Sequence, residues 1–497
     1  MSEGQPRRPN ILFRADGGAA IGSGHLRRCL SVAERLRDRG HRCLFICRAS
    51  DRSFNGLVSD AGFDLIELPA ADAMSQEHDA EQTLAAVGGA LFDVAIVDHY
   101  GLDHIWEKAV RCVAGRLAVI DDLADRRHDC DLLIDVAPGH PARYDSLVPA
   151  GCHQLLGPNY AMLRPEFARL RQARAERSGA ADRILISFGG VDPDNLTGTA
   201  IAAIRAGLPK VAIDAVLTGL SPHRQALEDH AAHDPHLSLH VDAANMAELM
   251  QAADLAIGAG GSTSWERACM GIPSIVAVIA ENQRTTADAL ERLGCAVAVA
   301  AGPNFAAELG RLVQFLSASP ALLRLMATAA RATVDGRGVD RVASAICPPS
   351  IALRPATEQD ARQVWEWRNA PEIRATAIDT AEIPWESHSA WFARRIADPN
   401  SVMLVAEEGA AGVGVGVVRF DLDGDAAAVS IFLAPGHAGR GMGRAILQAG
   451  ERRVQTLHPE IRRFLADVRP ENGASIALFR GADYRPILSC FERTVND

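Results

Sequence analysis

The residue in this chain best placed to do chemistry is His25. It closes the run Ile11-Leu-Phe-Arg-Ala-Asp-Gly-Gly-Ala-Ala-Ile-Gly-Ser-Gly-His25, in which a short apolar strand enters a glycine-rich turn and a helix opens at about Leu26. Glycines at 17, 18, 22 and 24 let the backbone approach a ligand closely and adopt positive φ. The first helical turn offers unpaired N–H groups to an anion. An imidazole at such a turn can act as a general base near neutral pH. A helix cap is the plainer reading of an isolated histidine, but the glycines, Asp16 and the following arginines favour catalysis. Arg27 and Arg28 read equally as charge at the turn or as a solvated helix face. Cys29 reads as core.

Two more glycine-rich turns carry chemistry. Gly260-Gly261-Ser262-Thr263-Ser264 begins a helix with two hydroxyls, and Glu266 follows within the first turn. Backbone amides and hydroxyls there suit a diphosphate, with charge-assisted bonds contributing about 1.5–3 kcal/mol each. The Glu266 carboxylate can accept from ribose hydroxyls. Asn282 and Gln283, in Ala280-Glu-Asn-Gln, follow the next strand and can bond sugar hydroxyls. Further on, a strand ending at Leu433 leads into Ala434-Pro-Gly-His-Ala-Gly-Arg-Gly-Met-Gly-Arg444. Gly439, Gly441 and Gly443 expose successive amides at a helix start, Arg440 and Arg444 add positive charge, and the whole suits a pyrophosphate. Asn472 caps a helix about 30 residues downstream.

The elements that must position these loops alternate between strand and helix. Ile11–Phe13, Cys43–Ile46, Phe92–Val97 and Leu117–Ile120 read as short buried strands, and Leu26–Arg39 as an amphipathic helix ending at Gly40. Strands followed by helices mean a parallel sheet, with ligands bound beyond the strands' carboxyl ends. Arg14, Asp16, Asp98, Tyr100 and Asp121 all fall on that rim. A charged helix from Arg164 to Arg177 separates this half from a second alternating unit, with strands at Arg183–Phe188, Val211–Thr218, Leu237–His240 and Leu255–Ile257. The expected fold class is α/β: two Rossmann-like halves, 1–163 and 164–346, in the manner of a two-domain nucleotide-sugar fold. Cys347-Pro-Pro-Ser350 reads as a linker to a third α/β domain, 347–497, whose first helix is announced by a capping box of Thr357 and Asp360.

Bulk properties narrow the partners. The chain has 497 residues, 48 % of them hydrophobic and 23 % charged, with a formal net charge of -11. That suggests about three domains and argues against nucleic acid as a partner. The ten cysteines show no CxxC pair or zinc-like spacing; reduced thiols in a cytoplasmic protein, with no metal, are expected. Met1–Asn10 has no apolar core of a signal peptide, and the longest near-apolar run, Ala268–Ala280, is too short to span a bilayer. No membrane partner is expected.

The motifs RADGG, IGSGHLRR, VDHYGLD, ISFGGVDPDNLT, GAGGSTSWERACMGIPS and AENQ together resemble the UDP-sugar hydrolases of pseudaminic acid biosynthesis, over about residues 10–345. These act on UDP-2,4-diacetamido-2,4,6-trideoxy-β-L-altropyranose, and are similar in fold to two-domain, glycosyltransferase-B-like enzymes. The resemblance implies metal-independent release of UDP, with His25 as base, Arg14, Asp16, Gly24, Asp98, Tyr100, Asn282 and Gln283 around the sugar, and Gly260, Gly261, Ser262, Thr263 and Glu266 around UDP. Asp135 stands where an asparagine is expected. UDP leaves more readily than an alkoxide, so one base can suffice where glycosidases use two carboxylates; it contributes about 10²–10⁴-fold. Asp16 or Asp98 then orients His25 or the sugar.

Residues 351–490 resemble the GNAT acetyltransferases, which implies acetyl-CoA at Leu433, Gly439, Arg440, Gly441, Gly443, Arg444 and Asn472. Ala438 replaces the usual Gln or Arg, and Phe479 the usual tyrosine acid; nearby Tyr484 reads as core. Trp365, Trp391 and Phe392 read as core or as packing for a nucleotide or sugar, His388 as catalytic or a helix cap. The combined expectation is a bifunctional enzyme that acetylates a UDP-linked 4-amino sugar and then removes UDP from the product. The rival readings are a UDP-sugar glycosyltransferase fused to an acetyltransferase, and a nucleotide-sugar-binding protein with a degenerate acetyltransferase domain.

Overall fold

The computed structural model describes residues 10–18, 22–49, 52–70, 75–137, 139, 141–174, 179–189, 191–409 and 412–487. It divides into two compact units, Met1–Ile346 and Cys347–Asp497.

The first unit carries two parallel sheets. The first has seven strands, β1 (Asn10–Ala15), β2 (Arg42–Arg48), β3 (Asp64–Leu68), β4 (Phe92–Asp98), β5 (Ala114–Ile120), β6 (Leu132–Asp135) and β7 (His153–Leu156), in the order 3-2-1-4-5-6-7. Ile11, Leu12, Phe13 and Ala15 of β1 are fully buried, as a central strand covered on both faces requires. Phe13 stacks on Phe45 of β2 with ring centroids 4.6 Å apart. The strand order reverses between β1 and β4, so the crevice above their carboxyl ends is the natural ligand site. The helix following β1 runs Gly24–Asp38 and buries Leu26, Cys29, Leu30, Val32, Ala33 and Leu36. It starts two residues earlier than Leu26, which puts His25 inside its first turn.

The second sheet repeats the plan with six strands: β8 (Arg183–Ser187), β9 (Ala212–Leu217), β10 (Leu237–Val241), β11 (Leu255–Ala259), β12 (Ser274–Val278) and β13 (Ala296–Ala300), in the order 10-9-8-11-12-13. Its reversal lies between β8 and β11, so the loop at Gly260 leaves from the equivalent position. Gly258 sits on β11 because a Cβ there would lie 2.2 Å from the Ser187 carbonyl oxygen of β8. The connecting helix is Pro165–Ala173, shorter than Arg164–Arg177; it starts at a proline, as first helical positions allow, and 175–178 lie outside the described residues. The last helix, Gly338–Ile346, returns to the first half. There Asp340 pairs with Arg35, and Arg39 donates to Ser344 Oγ at 3.0 Å. Two parallel α/β halves braced in this way form the glycosyltransferase-B-like arrangement expected from the sequence.

The second unit is a five-stranded sheet, β14 (Ile351–Pro355), β15 (Ser401–Glu408), β16 (Val413–Asp423), β17 (Ala426–Leu433) and β18 (Arg463–Leu465), antiparallel except for the last pair. Phe420, Ile446, Leu447 and Val454 are fully buried between the sheet and the helix Met442–Leu457. The capping box of Thr357 and Asp360 is present.

Candidate functional site

His25 meets Asp98 at the reversal point of the first sheet. The imidazole Nδ1 lies 2.7 Å from Asp98 Oδ1 and 3.1 Å from the Asp98 carbonyl oxygen. Two acceptors on one nitrogen assign the proton to Nδ1 and the lone pair to Nε2. The Tyr100 ring stands edge-on to His25, with centroids 4.5 Å apart. Asp98 has no exposed surface, so its charge needs partners. Arg28, one helical turn after His25, supplies them: Nε donates to Oδ2 at 2.5 Å and Nη2 to Oδ1 at 2.6 Å. Arg28 Nη1 also donates to Asp122 Oδ2 at 2.9 Å. Cys29, buried as expected, has its Sγ 3.6 Å from Asp98 Oδ2.

The electrostatics follow from these contacts. Burial pushes the Asp98 carboxyl up, but Arg28 and then His25 overcome it and hold the group well below the ordinary carboxylate range. For His25 burial lowers proton affinity, Asp98 more than reverses that, and Arg28 pulls it part of the way back, leaving a raised pKa. Asp98, not Asp16, is the carboxylate in contact with the His25 imidazole.

Arg14 and Asp16 face inward. Arg14 is 1 % exposed; its guanidinium spans Asp16, with bonds of 2.5 and 3.0 Å, and Asp79, with bonds of 3.1 and 2.7 Å. Asp16 also accepts from the Arg48 backbone N–H at 2.7 Å and lies 3.2 Å from His99 Nε2. Because the Gly101 N–H donates to His99 Nδ1 at 2.9 Å, the His99 proton sits on Nε2, and both ring nitrogens are committed. Trp106 Nε1 donates to Asp79 at 2.9 Å. Arg14 and Asp16 thus brace the floor of the crevice where sugar contacts were expected. No motif or spacing had pointed to Asp79 or Arg48.

The loop after β11 approaches His25 from the other half. A Cβ on Gly24 would stand 3.8 Å from Ser262 Oγ, so the two glycine turns nearly touch. Ser262 is exposed, Gly261 and Thr263 half-buried, and Gly260 buried. The Gly260 N–H, expected among the diphosphate donors, is instead donated to Gln283 Oε1 at 3.1 Å. This bond pins the Gln283 side chain beneath the loop; the Asn282 side chain lies outside the described residues. Arg267 is buried and donates to the Ala259 carbonyl and to Ser264 Oγ, each at 2.9 Å, fixing the loop from below. Glu266 has Arg164 Nη2 4.0 Å away. Burial raises its proton affinity, and Arg164, Arg27 and Arg267 oppose that. Arg27 is exposed whereas Arg28 is not, so the two adjacent arginines divide between the two readings left open for them.

Asp135 and Asp121 share the Tyr144 hydroxyl, which donates to Asp121 Oδ2 at 2.9 Å and lies 3.2 Å from Asp135 Oδ2. Arg143 is 2.8 Å from Asp135. Burial outweighs that partner and pushes Asp135 up to about 7.

In the second unit β17 pairs with β18 only through Ala426–Ala428, so on that side Val429–Leu433 has no ladder partner among the described residues. Leu433 ends this stretch. Gly439 and Gly441 have φ of 77° and 76°, and Gly441 caps the helix Met442–Leu457; Gly443 lies in its first turn, and Arg444 is exposed. Arg440 is half-buried. The Asn472 side chain accepts from the Ser475 N–H at 3.0 Å and donates to the Thr376 carbonyl at 3.0 Å, so it caps its helix and ties down a loop. Tyr484 donates to Glu451 Oε1 at 2.6 Å and packs on Phe479 with centroids 4.9 Å apart, in keeping with its core reading. His388 and Phe392 are buried, with Trp385 and Trp391 around His388 at 6.3 and 5.5 Å. Trp365 donates to the Ile383 carbonyl at 2.7 Å.

Among the described residues no cluster of His, Cys, Asp and Glu is arranged to hold a metal ion, and no single helix is long and apolar enough to cross a membrane.

Residues 350–485 match the family model of the acetyltransferase (GNAT) domain. The chain is 27 % identical over 286 residues to the UDP-2,4-diacetamido-2,4,6-trideoxy-beta-L-altropyranose hydrolase of Campylobacter jejuni subsp. jejuni serotype O:2, covering 57 % of this chain and 97 % of that protein. It is 27 % identical over 335 residues to the spore coat polysaccharide biosynthesis protein SpsG of Bacillus subtilis (strain 168), covering 66 % of this chain and 95 % of that one. Among solved structures, Acinetobacter baumannii MurG superposes with a TM-score of 0.48 at 16 % identity, covering 68 % of this chain and 99 % of its own. The chain therefore fuses a segment similar to the altropyranose hydrolase to a C-terminal GNAT domain.

Proposed function

We propose that the first unit hydrolyses a UDP-linked diacetamido-trideoxy sugar of the altropyranose type, and that the GNAT domain acetylates the 4-amino group of its precursor from acetyl-CoA. The observation that carries the first half is the His25–Asp98 pair at the sheet's reversal point, facing the Gly261–Thr263 turn of the other half. A base needs a defined tautomer, and Asp98 provides it. His25 Nε2 takes a proton from water as that water attacks C1, and the electron pair of the breaking C1–O bond leaves on UDP. Attack opposite the leaving group inverts the anomeric centre. Gly261, Ser262 and Thr263 bind the diphosphate, Glu266 the ribose, and Tyr100, Gly24 and Asn282 line the sugar, while Gln283 holds the Gly260 turn in place. Water must win over any other acceptor, and this separates a hydrolase from a glycosyltransferase.

In the GNAT domain the open edge of β17 up to Leu433 suits the extended arm of acetyl-CoA, and the turn Gly439–Arg444 suits its pyrophosphate. The amine of the UDP-sugar attacks the thioester carbonyl, the acyl carbon passes from sulfur to nitrogen, and the thiol of CoA leaves.

The test is incubation of the purified chain with the candidate UDP-sugar and no acceptor, reading UDP release and product stereochemistry by NMR. We expect stoichiometric UDP and free sugar of inverted configuration, reduced about 10²–10⁴-fold in His25→Ala. A folded His25→Ala protein that releases UDP at the wild-type rate overturns the assignment, and UDP release that waits for an added sugar acceptor makes the first unit a transferase.

A further inference from the structure

The mechanism above uses His25 and Asp98 but gives no task to Arg28, which binds two carboxylates at the site. Arg28 grips both oxygens of Asp98 at 2.5 and 2.6 Å and reaches Asp122 at 2.9 Å. The four groups form one line of alternating charge when His25 is protonated: His25, Asp98, Arg28, Asp122. They come from the helix after β1 and from the ends of β4 and β5. A buried carboxylate with only an imidazole beside it would bind that imidazole's proton tightly, and a base that holds its proton is no base. A cation on the far side of the same carboxylate weakens that hold.

We propose that Arg28 is a positioning residue for the His25 base: it turns one Asp98 oxygen to the imidazole and offsets part of that carboxylate's pull, so that His25 gives up its proton more readily than it would beside Asp98 alone. The inference rests on the hydrolase reading for its kinetic consequence, but not for its electrostatics. The groups that face His25 are Asp98 and Tyr100 from the end of β4, Arg28 from its own helix and, through Arg28, Asp122 from the end of β5; Cys29 faces Asp98. Tyr100 and Cys29 stay neutral across the working range, since burial, together with Asp122 for the tyrosine and Asp98 for the thiol, pushes both groups upward. Among the described residues, Arg28 is therefore the cation bonded to the pair. The neighbouring Arg27 donates to Ser23 Oγ at 3.1 Å and acts on Glu266 of the other half, not on the His25–Asp98 pair.

The test follows the Cε1–H resonance of His25 against pH by NMR, in the full chain, for wild type, Arg28→Gln, Arg28→Lys and Asp122→Asn. Arg28→Gln removes the offset and moves the His25 midpoint up, on the order of one pH unit. Arg28→Lys keeps the charge without the two-pronged grip and moves it less. Asp122→Asn frees more of the Arg28 charge to act and moves the midpoint down; it serves even where Arg28→Gln fails to fold, because Asp122 is partly exposed. In UDP release the acid limb of the pH–rate profile moves with each midpoint. A folded Arg28→Gln protein whose His25 titrates at the wild-type pH overturns the inference, as does an Asp122→Asn midpoint that stays put or rises. Titrations that move as expected in a protein that releases no UDP uphold the electrostatic role and overturn the hydrolase reading instead.

Discussion

Replacing Asp98 by asparagine removes one charge and almost no volume, and the structure fixes what that costs. The Asn amide oxygen can still accept the hydrogen bond from His25 Nδ1–H, but it cannot balance the imidazolium that the proposed deprotonation of water would form. It also offers Arg28 one acceptor in place of two, where the guanidinium now holds both oxygens at 2.5 and 2.6 Å. If general-base catalysis is the role of His25, the loss lies within the 10²–10⁴-fold range, or about 2.7–5.4 kcal/mol of barrier. The fold is weakened as well, since removing one partner of a buried pair costs about 3–5 kcal/mol when the other is stranded; Asp122 keeps this at the lower end. The pH dependence has a definite sign. Asp98 has a depressed pKa, so its stabilisation is present above the ordinary carboxylate value of about 3.9 and is lost as pH falls through the folded value. His25 has a raised pKa, so its share is present below about 6.5 and is lost as pH rises through the folded value. The difference in Tm between wild type and Asp98→Asn is therefore largest in the mildly acidic range and narrows on both sides. The assay pairs continuous UDP detection with thermal melts across that range. A folded Asp98→Asn protein within a few-fold of wild-type kcat refutes the dyad, and a Tm difference that grows toward alkaline pH refutes the charge assignment.

Gly24→Ala folds normally, because its Cβ meets Ser262 Oγ at an ordinary 3.8 Å, but it crowds the gap between the two glycine turns. We expect a raised KM for the UDP-sugar with an unchanged Tm, read by steady-state kinetics and melting. Gly441→Ala forces a side chain onto a φ of 76° and costs about 1 kcal/mol or more of local strain; acetyl-CoA binding by calorimetry weakens while UDP release is unaffected. Asp135→Asn raises Tm above pH 7, where the native carboxyl, pushed up to about 7, must ionise in a buried site. The unfolded chain gives up that proton near pH 4, so wild-type stability falls between the two values as pH rises, and the gain in the variant fades toward pH 4 in melts run across this range.

The chain's local patterns already carried the strands that frame the crevice and the three glycine turns, because strand–turn–helix signals are written in consecutive residues. β1, β4, β5, β8 and β11 are apolar runs bounded by polar or glycine residues, and His25 announces itself by the glycines before it. The strands β3, β6, β7 and β13, and all of the last sheet but β17, escaped the reading. The tertiary structure alone decided which carboxylate serves the imidazole. Asp16 and Asp98 were equal candidates on the rim, and the sheet order sets Asp98 against His25 while Arg14, Arg48 and His99 surround Asp16. The same holds for Arg27 and Arg28. Adjacent helical residues point about 100° apart, so one faces solvent and the other a carboxylate seventy residues along the chain. A sequence records the residue types available to a site. Which charges neutralise one another depends on distances of a few ångströms between segments far apart in the chain, and only the folded chain sets those.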